Sequence, residues 1–380
     1  MAHMHANHTG EPLIRIVKRD AVSAKKAWGI RIIGILCALI VCAVLIFVIT
    51  KLNPFSVYTT MFQGAFGTAR RSWQTIRDAM MLLCVSLGLA PAFMMRFWNI
   101  GAEGQILVGG VATAGCMIYL GDKLPTALLF AVMFAASILA GALWGFIPAL
   151  FKARFGTNET LFTLMMNYIA IQLTSYFVAL WEKPFGSNTV GIINDRTNAG
   201  WFQPLFGMQY GWNVVVVLLL TFGMYFYLKH SKQGYEIQVV GESENTARYA
   251  GINVRRVIMR TMILSGAICG LSGFIAVAGA SHTISVSTAG GRGFTAIIVA
   301  WLSKFNSFVM IIFSFLLAFL DKGAAEIASK FNLNDYVSDM IEGIILFFVL
   351  GSEFFINYKL IFRKKSADET AMKAKEETAA

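Results

Sequence analysis

Apolar residues in this chain come in long runs broken by short charged or glycine-rich stretches, without the alternation of a half-buried strand. A helix needs roughly 20 apolar residues to cross about 30 Å of hydrocarbon, and the runs at 32–50, 79–96, 101–120, 124–151, 159–181, 212–228, 257–280, 308–327 and 335–358 predict spans. A tenth run, 293–303, is cut short by Ser303, Lys304, Asn306 and Ser307 and reads either as a span or as one arm of a re-entrant hairpin. The first run begins too late, and lacks the small-residue cleavage site, for a removable signal peptide. The expected fold is an all-α integral membrane protein of about ten helices.

Composition agrees, with 57% hydrophobic and 14% charged residues among 380. The net charge of +11 is no sign of nucleic acid, because the basic residues flank the apolar runs as the positive-inside rule expects. With both termini cytoplasmic, Arg15, Lys18, Arg19, Lys25, Lys26 and Arg31 precede the first span and Arg363, Lys364 and Lys365 follow the last. The organisation is then a tail at 1–27, a permeation domain at 28–358 and a tail at 359–380, with residues 1–27 and 363–380 expected to be mobile, an external loop at 182–211 and a basic cytoplasmic loop at 229–256. Arg70, Arg71 and Arg77 fall on the external side against this rule, and an interfacial amphipathic helix is the expectation there. Cys37, Cys42, Cys84, Cys116 and Cys269 lie within the runs, without metal-ligand spacing, as apolar packing residues.

The loop 182–211 divides the chain into two sets of about five helices, and odd-numbered halves give inverted repeats with broken helices near the pathway. Gly88 and Pro91, then Gly101, Gly104, Gly109 and Gly110, interrupt the first half. Gly290, Gly291 and Gly293 open the corresponding run of the second. Small residues also let helices approach closely in any bundle, so an isolated glycine need not mark a break.

Phosphate-loop, zinc-helix and nucleophile-elbow motifs do not occur, which points away from chemistry or a cofactor in this chain. In the loop 229–256, Ser243 is a predicted N-cap and Glu244–Ala250 a short helix ended by Gly251. Gly241, Glu242, Asn245, Ala247, Arg248, Tyr249, Ala250 and Gly251 resemble the coupling loop of the permease superfamily for branched-chain amino acids, ribose and simple sugars. Trp98-Asn99-Ile100-Gly101-Ala102-Glu103-Gly104-Gln105 is similar to the Phe-Asn-Ile-Gly-Ala-Glu-Gly-Gln signature of its nucleoside permeases, Trp98 standing for the usual Phe. Thr157–Ala170 is similar to a third pattern of that group, with departures at Thr160 and Leu161. The resemblance covers roughly residues 70–355. It implies a permease subunit of an ATP-driven ABC importer, with a nucleoside the expected solute. It also implies a separate ATPase with two nucleotide-binding domains, a second related permease in a heterodimer, an extracytoplasmic substrate-binding lipoprotein, and a place in the inner membrane. The coupling contacts would fall on Gly241, Glu242, Glu244, Asn245, Arg248, Tyr249 and Gly251.

A carboxylate at a span centre costs about 2.5–3.5 kcal/mol on insertion scales. Glu103 is therefore either a wall residue of the translocation path, with Asn99 and Gln105, or a helix-terminal cap tying down the glycine-rich break. Asn158 and Glu159 read as a helix start. Asn167, on one face with Thr160 and Thr163, lines a path or bonds a neighbouring helix. Arg292 meets substrate or a partner, or is a turn residue reaching solvent. The aromatic residues, 13% of the chain, are assigned to lipid-facing and belt positions, none as a stacking platform. The alternatives are a simple-sugar or riboflavin permease, an ion-coupled secondary transporter using Glu103, Asp321, Asp339 and Glu342, and, with no supporting constellation, a membrane-embedded enzyme.

Overall fold

The computed structural model describes residues 14–19, 23–51, 53–332 and 335–362. The side chains of Asp339 and Glu342, and Arg363 to Lys365, lie outside the described residues. The described elements are almost entirely helical, and among the described residues eight helices are long and apolar enough to cross a membrane.

The chain divides into two units. One comprises residues 1–57 and 335–380. In it α1 (Ala24–Thr50) packs on α13 (Asp335–Asn357), and Gly34 faces Phe348 and Ser352 across that seam. Arg31 Nε donates to Glu353 at 2.8 Å. Five residues of the N-terminal tail, β1 (Ile14–Lys18), pair antiparallel with β2 (Tyr358–Phe362), Ile16 opposite Leu360, so these parts of the tails are ordered against one another.

The second unit, residues 58–334, holds the rest. A helix α2 (Pro54–Phe66) leads into α3 (Ala69–Met94), whose start is capped by the Thr68 side chain. Arg70, Arg71 and Arg77 thus belong to the first turns of a span, and not to a separate interfacial helix as the sequence suggests. Arg71 is neutralised by Glu326 at 2.9 Å and Arg77 by Asp78 at 2.9 Å, which lets the helix begin ten residues before the apolar run. Then follow α4 (Ala102–Leu120), α5 (Thr126–Phe155) and α6 (Glu159–Trp181), the last capped by Asn158 as expected. After the irregular loop come α7 (Gly211–His230), α8 (Lys232–Glu242), α9 (Glu244–Tyr249) and α10 (Val254–Ala276). A π-turn (Val277–Ser281) extends α10, and the chain finishes this unit with α11 (Arg292–Leu302) and α12 (Ser307–Phe331).

The core is the meeting of α4 and α5 with α10. At Gly141 and Gly270 the backbones touch, since a Cβ on Gly141 would lie 2.7 Å from the Gly270 Cα and would meet the Gly266 carbonyl. This is the small-residue packing that membrane helices use in place of a hydrophobic drive. Cys84 and Cys269 are buried free thiols, in keeping with a packing role. At 11 residues α11 is too short to cross, in accord with the re-entrant alternative for 293–303.

Candidate translocation site and coupling surface

Two breaks in regular helix come together inside the second unit. The first joins α3 to α4 through residues 95–101, and the second joins the π-turn to α11 through 282–291. α3 runs through Pro91 to Met94, and Arg96 then takes a positive φ of 59° that turns the chain out of the helix.

The buried amide of the first break, Asn99, is hydrogen-bonded on all sides, and α6 supplies partners for the backbone around it. Asn99, fully buried, accepts the Gly101 N–H at 3.0 Å and donates to Ser265 Oγ at 3.1 Å and to Gln105 Oε1 at 3.5 Å. Ser265 is the midpoint of α10, so Asn99 is anchored half-way along that helix and not at its end. Asn167 reaches over from α6, accepting the Gly104 N–H and donating to the Ile100 carbonyl, both at 2.8 Å. Thr163, one turn earlier, accepts the Ile100 N–H at 3.2 Å. Asn167 therefore bonds a neighbouring helix, the second of the two alternatives left by the sequence.

Glu103 does cap a helix, although not its own. Its carboxylate, in the first turn of α4, accepts the Gly291 N–H at 2.7 Å and the Gly293 N–H at 2.8 Å, at the start of α11. Both N–H groups have no intrahelical partner, and the helix dipole favours a negative charge there. Gly291 sits at φ 74°, where a side chain is strained, and this turn aims both N–H groups at one carboxylate.

Arg292 corrects the expectation of a solvent-reaching turn residue. Its guanidinium is half-buried, donates to the Thr288 and Ala289 carbonyls at 3.3 and 3.4 Å, and stands 3.4 Å from Asp78. Asp78, 5% exposed, also meets Arg77 at 2.9 Å and Lys322 at 2.8 Å. Three cations from three helices thus converge on one acid, and Arg77 stacks on Tyr210 at 5.2 Å. Sequence reasoning missed Asp78 because the predicted span began one residue after it; an acid followed directly by an apolar run was the available signal. Asp321 stands apart, 62% exposed and 3.9 Å from Lys322.

At one end of the bundle α9 projects outward. Ser243 caps it by accepting the Thr246 N–H, and Gly251 ends it with φ 75°, as the sequence predicts. Ala247 is buried beneath, whereas Glu242, Glu244, Asn245, Arg248 and Tyr249 are exposed, Tyr249 by 94%. Gly241 presses on the Met94 carbonyl at the end of α3, so α8 and α9 bear directly on the first break. A cleft of about 150 Å³ there is lined by Arg96, Lys152, Glu159, Glu242 and Glu244. At the opposite end the loop before α7 ties down both halves: Asn194 donates to the Met117 carbonyl at 2.8 Å, and the Phe202 N–H donates to the Ala278 carbonyl at 3.0 Å.

Comparison with known proteins identifies this architecture. Residues 72–350 match the family described as branched-chain amino acid transport system / permease component. The chain is 31% identical to the guanosine ABC transporter permease protein NupP of Bacillus subtilis, over 81% of this chain and 89% of that protein. It is 27% identical to the glucose ABC transporter permease protein TsgB13 of Haloferax volcanii, over 94% and 97% of the two chains. It is also 27% identical to the nucleoside ABC transporter permease protein NupB of Lactococcus lactis, over 86% and 90%. The chain therefore belongs to the branched-chain amino acid transport system permease family, the multi-pass membrane subunits of ABC transporters, in which ATP is hydrolysed on a separate subunit.

Proposed function

We propose that this subunit forms part of the path by which an ATP-driven importer carries a nucleoside across a bacterial cell membrane. The observation that carries the reading is the Trp98–Gln105 segment, which resembles the nucleoside-permease signature and forms the hydrogen-bonded break beside the midpoint of α10. Relatives named for guanosine and nucleosides support it. Asn99, Glu103, Gln105, Asn167 and Arg292 shape the path by fixing its two breaks, Glu103 and Arg292 at the start of α11.

The α8–α9 end is cytoplasmic in this reading, because Lys229, Lys232, Arg248, Arg255 and Arg256 gather there. The exposed face of α9 seats in the ATPase, and Gly241 passes its movement to the end of α3. A second permease completes the path, in line with the match of both NupP and NupQ of Bacillus subtilis to this chain. A substrate-binding lipoprotein delivers the solute at the opposite end.

The test is ATP-dependent uptake of labelled guanosine into proteoliposomes holding this chain, its paired permease, the ATPase and the binding protein. Uptake that needs ATP and all four components is the expected result. Uptake of glucose or riboflavin in place of guanosine, the cargoes named for other relatives, would move the assignment to those solutes.

A further inference from the structure

An aromatic cluster stands at the foot of the first break. Phe93, 2% exposed, meets the Trp98 ring edge-on at 5.7 Å and 80°, and the Trp301 ring at 6.0 Å and 69°. The two indoles lie 5.9 Å apart, tilted by 32°, and Phe305 meets Trp301 at 5.2 Å and 61°. Held in this way, Trp98 and Trp301 remain 46% and 43% exposed.

Lipid is a poor occupant for this face. An 11-residue helix is about 16 Å long, half of the roughly 30 Å hydrocarbon layer. Its first turn is fixed to Glu103, one turn beyond Asn99 and its bond to the midpoint of α10. Residues 282–291 therefore descend from the bundle end to mid-membrane as irregular backbone, with Val286, Ser287, Gly290 and Gly291 exposed. Such backbone is tolerated at depth only inside protein or along a water-filled cavity. The exposed stripe of α11, Phe294 and Trp301 with Ile298 between them, continues that wall, and exposed Lys304 and Asn306 follow it. Trp98 stands one residue from Asn99, which is bonded inside the bundle to Ser265 of α10.

Resting on the nucleoside reading, we propose that Trp98 and Trp301, oriented by Phe93, form a stacking site for the planar ring of the cargo on the α9 side of mid-membrane. Stacking on an aromatic face is available to every nucleobase and needs no matched hydrogen bonds. It holds a ring without retaining it, which suits a site that must release its solute onward. Phe93 is a positioning residue, since its burial keeps it from the solute.

The experiment is uptake of guanosine, riboflavin and glucose by the complete importer in proteoliposomes, with Trp98→Ala, Trp98→Phe, Trp301→Ala, Trp301→Phe and Trp301→Leu in this chain. The expected result is a KM for guanosine raised about tenfold by either Ala change and returned close to the starting value by Phe, with the complex recovered in normal yield. Riboflavin carried in place of guanosine, with the same dependence on the two indoles, would support the stacking site while overturning the nucleoside reading. Guanosine uptake with unchanged KM in both Ala variants would sink the stacking site and leave that reading intact. Glucose as the only solute carried would overturn both. Complex yield falling equally in the Ala, Leu and Phe variants would make the surface a subunit contact and overturn the proposal.

Discussion

The two helix breaks meet in one place and are held in opposite ways. The first, 95–101, is closed by amides and hydroxyls that satisfy its own backbone: Asn99 within the segment, Thr163 and Asn167 from α6. The second, 282–291, is more exposed, and its junction with α11 rests on charges borne by other helices, Glu103 on α4 and Asp78 on α3. The first break is thus closed by neutral groups of its own neighbourhood, whereas the start of α11 hangs on charged side chains of α3 and α4.

The largest expected effect tests the Glu103 attachment. Glu103→Ala leaves the Gly291 and Gly293 N–H groups without their charged acceptor, costing about 4 kcal/mol at 1.5–3 kcal/mol per bond to a charged group. Thermal unfolding of the purified complex should show the loss, and uptake should cease. Glu103→Gln, with one acceptor oxygen in place of two, should fall between. If Glu103→Ala unfolds at the temperature of the unaltered protein, α11 is held by something else.

Asp78→Asn comes next. Breaking a buried ion pair by removing one partner costs about 3 kcal/mol, and here Arg77, Arg292 and Lys322 are all left facing a neutral amide. Combining it with Glu103→Gln separates the two attachments. Additive losses mean that they act independently, and a combined loss smaller than the sum means one shared clasp.

Asn167→Ala is the counterpart at the first break. It removes the acceptor for the Gly104 N–H and the donor for the Ile100 carbonyl, about 2 kcal/mol for two neutral bonds with buried partners. Asn167→Asp keeps the acceptor but sets a buried carboxylate oxygen against the Ile100 carbonyl, and should lose at least as much. Both should lower stability with little change in the KM of the remaining transport, whereas Glu103→Gln should alter the transport rate itself.

How much of this was legible in the sequence depended on the range of the interaction. The cap of α9 by Ser243 and its glycine stop are set by neighbours three to five residues away, and those positions read correctly. Asn158 at the start of α6 is the same case. The Glu103 cap was half legible: a carboxylate beside a glycine-rich turn signals a helix terminus, but the helix it serves begins almost 190 residues later. Asp78 was missed because its cost is offset by partners on α11 and α12 that no local window contains. The early start of α3 was missed for the same reason, since hydropathy counts Arg71 as charged whether or not Glu326 neutralises it. Trp98 was noticed only as a departure from a pattern, and its pairing with Trp301 required the fold.

The smallest effect concerns pH and should separate the two breaks again. His282, just past the end of the α10 span, lies flat on Trp201 at 3.9 Å and 7°, and its buried Nδ1 has no hydrogen-bond partner among the described residues. Burial lowers its pKa from the ordinary 6.5, because the charged ring loses solvation. The unfolded chain then binds a proton before the folded one does, so stability rises with pH across that interval. His282 contributes fully above about pH 6.5, and its contribution is lost as the pH falls through the lower folded-state value. His282→Phe keeps the stacking and removes the titration, so unfolding midpoints measured between about pH 7 and 5 should decline less in the variant. Uptake in the same range should follow the stability of the second break and leave the effect of Asn167→Ala unchanged, since no titrating group stands among the bonds that close the first. Equal acid sensitivity in His282→Phe and the unaltered protein would place the pH response elsewhere in the molecule.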